Sequence, residues 1–118
     1  MIGYKKVAIF KGLRNLEAVA TLDIPDDSKK CNPKASNKWR CSKAKVIKIE
    51  LLDETETANS AWSCICTMQG IRGVNYVVGK IVRPLNGYDD DNTIECSRGI
   101  HFFLSKQEAI DYYKGFIV

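Results

Sequence analysis

The residues in this chain with types suited to chemistry are one histidine, five cysteines, a short acidic run and a cluster of basic side chains. His101 follows Cys96 by five residues, which suggests a thiolate and its base. On an extended chain that separation is roughly 17 Å, too long for a hydrogen bond unless the chain folds back. Cys64 and Cys66 put both thiols on one side of a strand. Structural zinc instead uses two pairs with two to four residues between members, and Cys31, Cys41, Cys96 and His101 do not supply the second pair. The cysteines therefore read as small core hydrophobes. Asp89-Asp90-Asp91-Asn92 has calcium-ligand residue types, but lacks the alternating order, the glycine hinge and the distal glutamate of a calcium loop. A solvated acidic loop, pairing with the basic segment, fits better. The sequence contains no phosphate loop, dinucleotide fingerprint or serine nucleophile elbow. No catalytic residue, metal ligand or cofactor is assigned.

Charge is more informative. Between Lys29 and Lys48 lie eight of the 18 basic residues and no acid, in a chain of formal net charge +4. One reading is a solvated loop and outer strand face. The sharper one is an anion-binding surface whose fixed part is Arg40, Lys43 and Lys45 at the start of a strand, with Trp39 as a stacking plane. Arg98 and His101 join these three as candidate ligand-binding residues. The partner they imply is an anionic small molecule such as a nucleotide. Nucleic acid ranks lower, because the net charge is small and the acidic loop would repel a phosphate backbone.

The elements that must position these residues are mainly strands. Ile100, Phe102 and Leu104 alternate onto one face, with His101 and Phe103 on the other, as in a strand covered on both sides. Ser105 with Glu108 three residues on is a capping box. Ala109, Ile110 and Tyr113 then make a narrow apolar stripe, Gly115 closes the helix, and Phe116-Ile117-Val118 suggest a short terminal strand or a core-docked tail. At the other end, Met1 to Phe10 and Leu16 to Ile24 form a hairpin around Lys11–Asn15, stopped by Pro25. From Arg40 onward the pattern is β. Its apolar parity changes from Ala44 and Val46 to Ile47, Ile49 and Leu51, which predicts a bulge near Val46. Trp62, Cys64, Cys66 and Met68 alternate with Ser63 and Thr67. Gln69 to Gly73 reads as a turn, followed by Val74, Tyr76 and Val78, with a second bulge at Gly79 or burial of both faces, and Pro84 as a stop. The fold class is α+β, a mainly antiparallel, bent β-sheet with one helix near the C-terminus, in a single domain spanning 1–118. No apolar run approaches the roughly 20 residues needed to span a bilayer, and the start lacks a signal-peptide pattern. With an odd cysteine count, this predicts a soluble cytoplasmic protein without a membrane partner.

Several stretches resemble a known family in the right order: Gly3-Tyr4-Lys5-Lys6-Val7, Leu22-Asp23-Ile24-Pro25, Arg40-Cys41-Ser42-Lys43-Ala44-Lys45-Val46, Tyr76-Val77-Val78-Gly79-Lys80 and, above all, Glu95-Cys96-Ser97-Arg98-Gly99-Ile100-His101-Phe102-Phe103 with Glu108-Ala109. They resemble an uncharacterised domain of large DNA viruses, phages and bacteria, often found beside pentapeptide repeats, of which this chain has none. The glycine, aromatic strand and helix around His101 are also similar to the nicotinamide-side element of ADP-ribosyltransferase folds.

Three functions follow as expectations. The first is a small virus- or phage-type accessory protein in the host cytoplasm, a non-catalytic module that sequesters an anionic ligand or a host protein, with self-association as one way to build its site. The second is an ADP-ribosyltransferase-like enzyme, implied only by that local similarity, with Tyr4, His101 and either Glu95 or Glu108 around one cleft. The third is nucleic-acid binding through Lys29 to Lys48. The chemistry favours a binder over an enzyme.

Overall fold

The computed structural model describes residues 1–11, 14–33, 37–67, 70–85, 87–94 and 97–112. Its elements run β1 (Ile2–Lys11), β2 (Arg14–Asp23), β3 (Lys30–Cys31), β4 (Trp39–Cys41), β5 (Ala44–Leu51), β6 (Thr57–Ala58), β7 (Ser60–Thr67), β8 (Gly70–Val77), β9 (Ile81–Val82), β10 (Ile100–Phe102) and α1 (Lys106–Asp111). This is the expected α+β architecture, antiparallel strands curled into a half-barrel with one short helix late in the chain.

Period-two alternation builds the first hairpin. β1 and β2 pair along their full lengths, Ile2 opposite Asp23 and Lys11 opposite Arg14. Val7, Ala18, Ala20 and Leu22 turn to the hollow of the sheet and are fully buried, a small-residue surface that allows tight curvature. The chain leaves the sheet at Pro25, just after the Ile24 amide donates to the Met1 carbonyl at 2.8 Å.

The larger sheet has the order β6-β5-β2-β1-β7-β8, with β9 also pairing with β5. Thr21 faces Lys48 and the next residue, Leu22, faces Val46, so Ile47 is an extra residue. That is the bulge expected near Val46. Its side chain is 45% exposed, so the inner row passes from Val46 to Ile49 without it. At Gly79 the chain takes a turn rather than a bulge, with φ +86, a region open to glycine. The turn swings β9 onto the start of β5, and Val46 exchanges main-chain hydrogen bonds with Gly79 and Lys80 at 2.8 and 3.0 Å. The far end of the sheet thus returns to its beginning, and the curl follows.

In β7 the alternation runs opposite to expectation. Ala61 and Ser63 are buried while Trp62 is 39% exposed. The ring of Trp62 lies over Gly73, where a Cβ would meet its Cε3 at 2.9 Å, so the missing side chain on β8 accommodates the tryptophan. β8 is already under way at Gly70, so the expected turn through Gly73 is shorter than the composition implied. The side chains of Cys64 and Cys66 lie outside those described.

A second sheet, β10-β4-β3, closes over the hollow. Phe102 stands opposite Trp39 and packs on Gly3, where a Cβ would be 2.4 Å from its Cδ2. Phe103 then bridges Tyr4 of β1 through two main-chain hydrogen bonds of 2.8 and 2.9 Å. Both phenylalanines are buried, as expected of a doubly covered strand. Leu104 is 48% exposed instead, because pairing ends at Phe103 and the chain bends into the helix.

Ser105 caps α1, its hydroxyl accepting from the Glu108 amide at 3.4 Å, and Ala109 is buried. Val19 and Glu50 face each other on the outer side of the sheet. Lys106 donates to Glu50 at 2.5 Å and to Glu54 at 2.7 Å, which fixes the helix on that side. Gly115 and Phe116-Ile117-Val118 lie outside the described residues. No described helix is long and apolar enough to cross a membrane.

Candidate functional site

Between β1, β7, β8 and β10 with its approach lies a cleft of about 90 Å³, room for several waters or a small organic group. Its apolar walls are Val74, Pro84, Leu85 and Ile100; Ser63, Tyr76 and Ser97 bring hydroxyls; Lys5, Arg98 and His101 bring nitrogen. Among the described residues no carboxylate lines it.

Lys5 reaches this cleft because of β1. It stands opposite Ala20 and shares a face with Gly3 and Val7, so it points into the hollow with the core residues. It is 7% exposed. Lys6, on the other face, comes within 3.8 Å of Glu17. The Lys5 ammonium makes no hydrogen bond or ion pair among the described residues. Burial pushes its ammonium down to about 8, Lys38 adds repulsion, and only Cys41 acts the other way. Taking a lysine out of water disfavours its charged form, so this site holds strained positive charge.

His101 is the neighbour that feels it. Burial, then Lys5 and Lys38, hold the imidazole down at about 3; contact with the Ser97 main chain opposes them, and Arg40 adds to them. The ring is therefore neutral at physiological pH, and its buried Nε2 has no hydrogen-bond partner. A buried polar atom left unmatched is costly, and here it belongs to a side chain lining a cleft.

Arg40 lies opposite His101 in the small sheet and is fully buried. Its Nε donates to the Asp89 carbonyl at 2.7 Å, Nη1 to the Ile94 carbonyl at 2.7 Å and Nη2 to the Asp91 carbonyl at 2.5 Å. The acidic loop does pair with the basic segment, through main-chain oxygens rather than its carboxylates. Those carboxylates cap their own turns. Asp89 accepts from the Asp91 amide at 3.0 Å and the Ser97 hydroxyl at 2.6 Å, and Asp91 accepts from the Thr93 amide and hydroxyl at 2.9 and 2.6 Å. The Ser97 hydroxyl is the main cause holding Asp89 below the usual carboxylate range. Arg40 so anchors the loop that leads into the cleft wall, and Gly99 lets the backbone pass close over it, a Cβ there meeting Arg40 Cβ at 3.1 Å.

Of the five candidate residues, the structure brings Arg98 and His101 to one concavity. Arg40 sits behind them. Lys43 is bound to Asp27 at 2.6 Å and Lys45 is exposed on β5 opposite Ile81, both away from the lining. Lys5 was missed by sequence reasoning. Its signal was parity, since it shares one side of β1 with Val7 and Ile9. Tyr4 pairs with Phe103 and Glu108 sits in the first turn of α1; neither lines the cleft. Glu95 and Cys96 lie outside the described residues. Cys31 and Cys41 are free and buried, and burial pushes the Cys41 thiol up to about 11, away from nucleophilic character. Among the described residues no three metal-binding side chains gather.

Fold and site together define an α+β half-barrel domain with a small cationic cleft under its covering sheet. The chain belongs to a family of unknown function, DUF5758, whose model matches residues 1–109. No curated protein and no solved structure matches it.

Proposed function

We propose that this chain is a non-catalytic binding module that captures a small anionic ligand in the cleft of Lys5, Arg98 and His101. The observation that carries the reading is Lys5, a nearly buried ammonium at a cleft wall with no carboxylate beside it. An incoming phosphate or carboxylate would supply the missing counter-charge, and charge-assisted bonds of this kind are the strong ones. The cleft holds one anionic group with a few carbon atoms, so a nucleotide would enter by one end. The resemblance to domains of large DNA viruses and phages supports an accessory role in the cytoplasm of an infected cell, where a host protein is the alternative partner.

Isothermal titration against inorganic phosphate, small carboxylates and a panel of nucleotides, cyclic and ADP-ribose-like forms included, tests this reading. Micromolar to low millimolar binding that weakens at least tenfold in Lys5→Met supports it. If no member binds, or binding ignores Lys5, Arg98 and His101 alike, the reading is wrong. The same panel with NAD, followed by mass spectrometry, separates capture from turnover.

A further inference from the structure

Lys5 has features that simple charge pairing does not use. It is the only lysine among the described residues that lines this cleft, and it reaches it from the inner face of a paired central strand rather than from a loop. It is 7% exposed and lies on a strand paired to β2 along its whole length. The charged and titratable groups around it are Lys38 and Cys41 from β4 and its approach, Tyr76 from β8, Arg98 from the approach to β10 and His101 from β10 itself. None is an acid. A primary amine that is desolvated and set beside another cation loses its proton easily, which is how lysine nucleophiles are made.

Resting on the anion-binding reading above, we infer that Lys5 is a nucleophilic amine that captures a small aldehyde or ketone bearing an anionic group, as a reversible Schiff base. Arg98 supplies positive charge at the cleft wall for the anionic group, and the carbonyl carbon lies toward Lys5. The neutral amine adds to that carbon and the C–N bond forms. The proton leaving nitrogen passes to the carbonyl oxygen, giving a carbinolamine. Loss of water breaks the C–O bond and leaves C=N, which takes up one proton. Amine and carbonyl become imine and water, with no change of oxidation state. With burial pushing the Lys5 ammonium down to about 8 against an ordinary 10.5, the neutral amine near pH 7 is far more abundant than for an exposed lysine.

The test uses the whole chain with pyridoxal phosphate and glyoxylate as anionic probes, acetaldehyde as the uncharged control and sodium cyanoborohydride to trap the imine. Peptide mapping should place one adduct on Lys5, at least tenfold ahead of the exposed Lys29, Lys45, Lys48 and Lys80, with a rate midpoint near pH 8. Inorganic phosphate should protect it. Lys5→Arg should lose that adduct while the exposed lysines keep their slow background labelling. Because mapping is done on the wild-type chain, the answer does not depend on that variant folding. Adducts spread over the exposed lysines, or acetaldehyde reacting at Lys5 as fast as the anionic probes, overturns the inference. Phosphate binding without a Lys5 adduct overturns it and leaves the binding module intact; neither binding nor adduct removes both.

Discussion

Arg40→Met is the most informative single perturbation of the framework. Arg40 is fully buried and its guanidinium holds the Asp89, Asp91 and Ile94 carbonyls at 2.7, 2.5 and 2.7 Å. Hydrogen bonds from a charged donor contribute about 1.5–3 kcal/mol each. Dehydrating the guanidinium costs several kcal/mol in return, and the loop is exposed enough for water to reach the freed carbonyls. The net loss for Arg40→Met is therefore about 3 kcal/mol, close to what breaking a buried charged contact usually costs. Arg40→Lys keeps the charge without the planar fork, and the expected loss is about 2 kcal/mol. Urea denaturation gives the global value. Hydrogen exchange at the Asp91 and Thr93 amides gives the local one, since both are capped within the anchored loop. Both variants should also weaken phosphate binding, because the loop carries Ser97 and Arg98 into the cleft wall. The reasoning fails if Arg40→Met stays within 0.5 kcal/mol of the wild type with exchange at 89–94 unchanged.

Gly3→Ala should destabilise the fold by about 2–3 kcal/mol, since the new methyl meets Phe102 at 2.4 Å and Ile24 at 3.0 Å; thermal melts report it. His101 is held near 3 against an ordinary 6.5, so the unfolded chain takes up a proton that the folded chain refuses. Stability should fall as pH drops below 6.5, by up to about 1.4 kcal/mol per unit, and His101→Gln should flatten that limb in pH-dependent urea melts. The His101 ring signal should show no titration in NMR between pH 5 and 8. Glu50 is held below the ordinary carboxylate value of 4.5, chiefly by Lys106. Its contribution is present above that value and fades as pH falls through the lower folded one, and Glu50→Gln should lose about 1 kcal/mol at pH 7.

Local pattern was legible where one rule decided the outcome. The hairpin from Ile2 to Asp23 follows from alternation and Pro25, the Ser105 cap from residue type, and the Ile47 bulge from a parity change. Reading failed where a distant partner decided. Trp62 turns outward because Gly73, on the next strand, leaves room for its ring. Leu104 is exposed because the last pairing of its segment is the bridge from Phe103 to Tyr4, about a hundred positions earlier in the chain. The candidate site was half visible: Arg98 and His101 lie three positions apart in sequence and line the same cleft. Lys5 was not, because its parity with Val7 and Ile9 was outweighed by the expectation that a lysine faces water. Arg40 was singled out for its charge, yet three carbonyls from a loop about fifty residues away occupy its guanidinium.

The bridge between Tyr4 and Phe103 has a consequence for how the molecule comes into being. The first hairpin can form as soon as its own residues are available, yet the wall that shuts Lys5 away from water arrives with nearly the last strand. Pairings of such wide sequence separation slow folding, and a nascent chain halted before Ile100 would display that lysine to the ribosome's surroundings. The Lys5 amine is thus an ordinary, fully protonated one through most of synthesis, and is withdrawn from water only at the closing step.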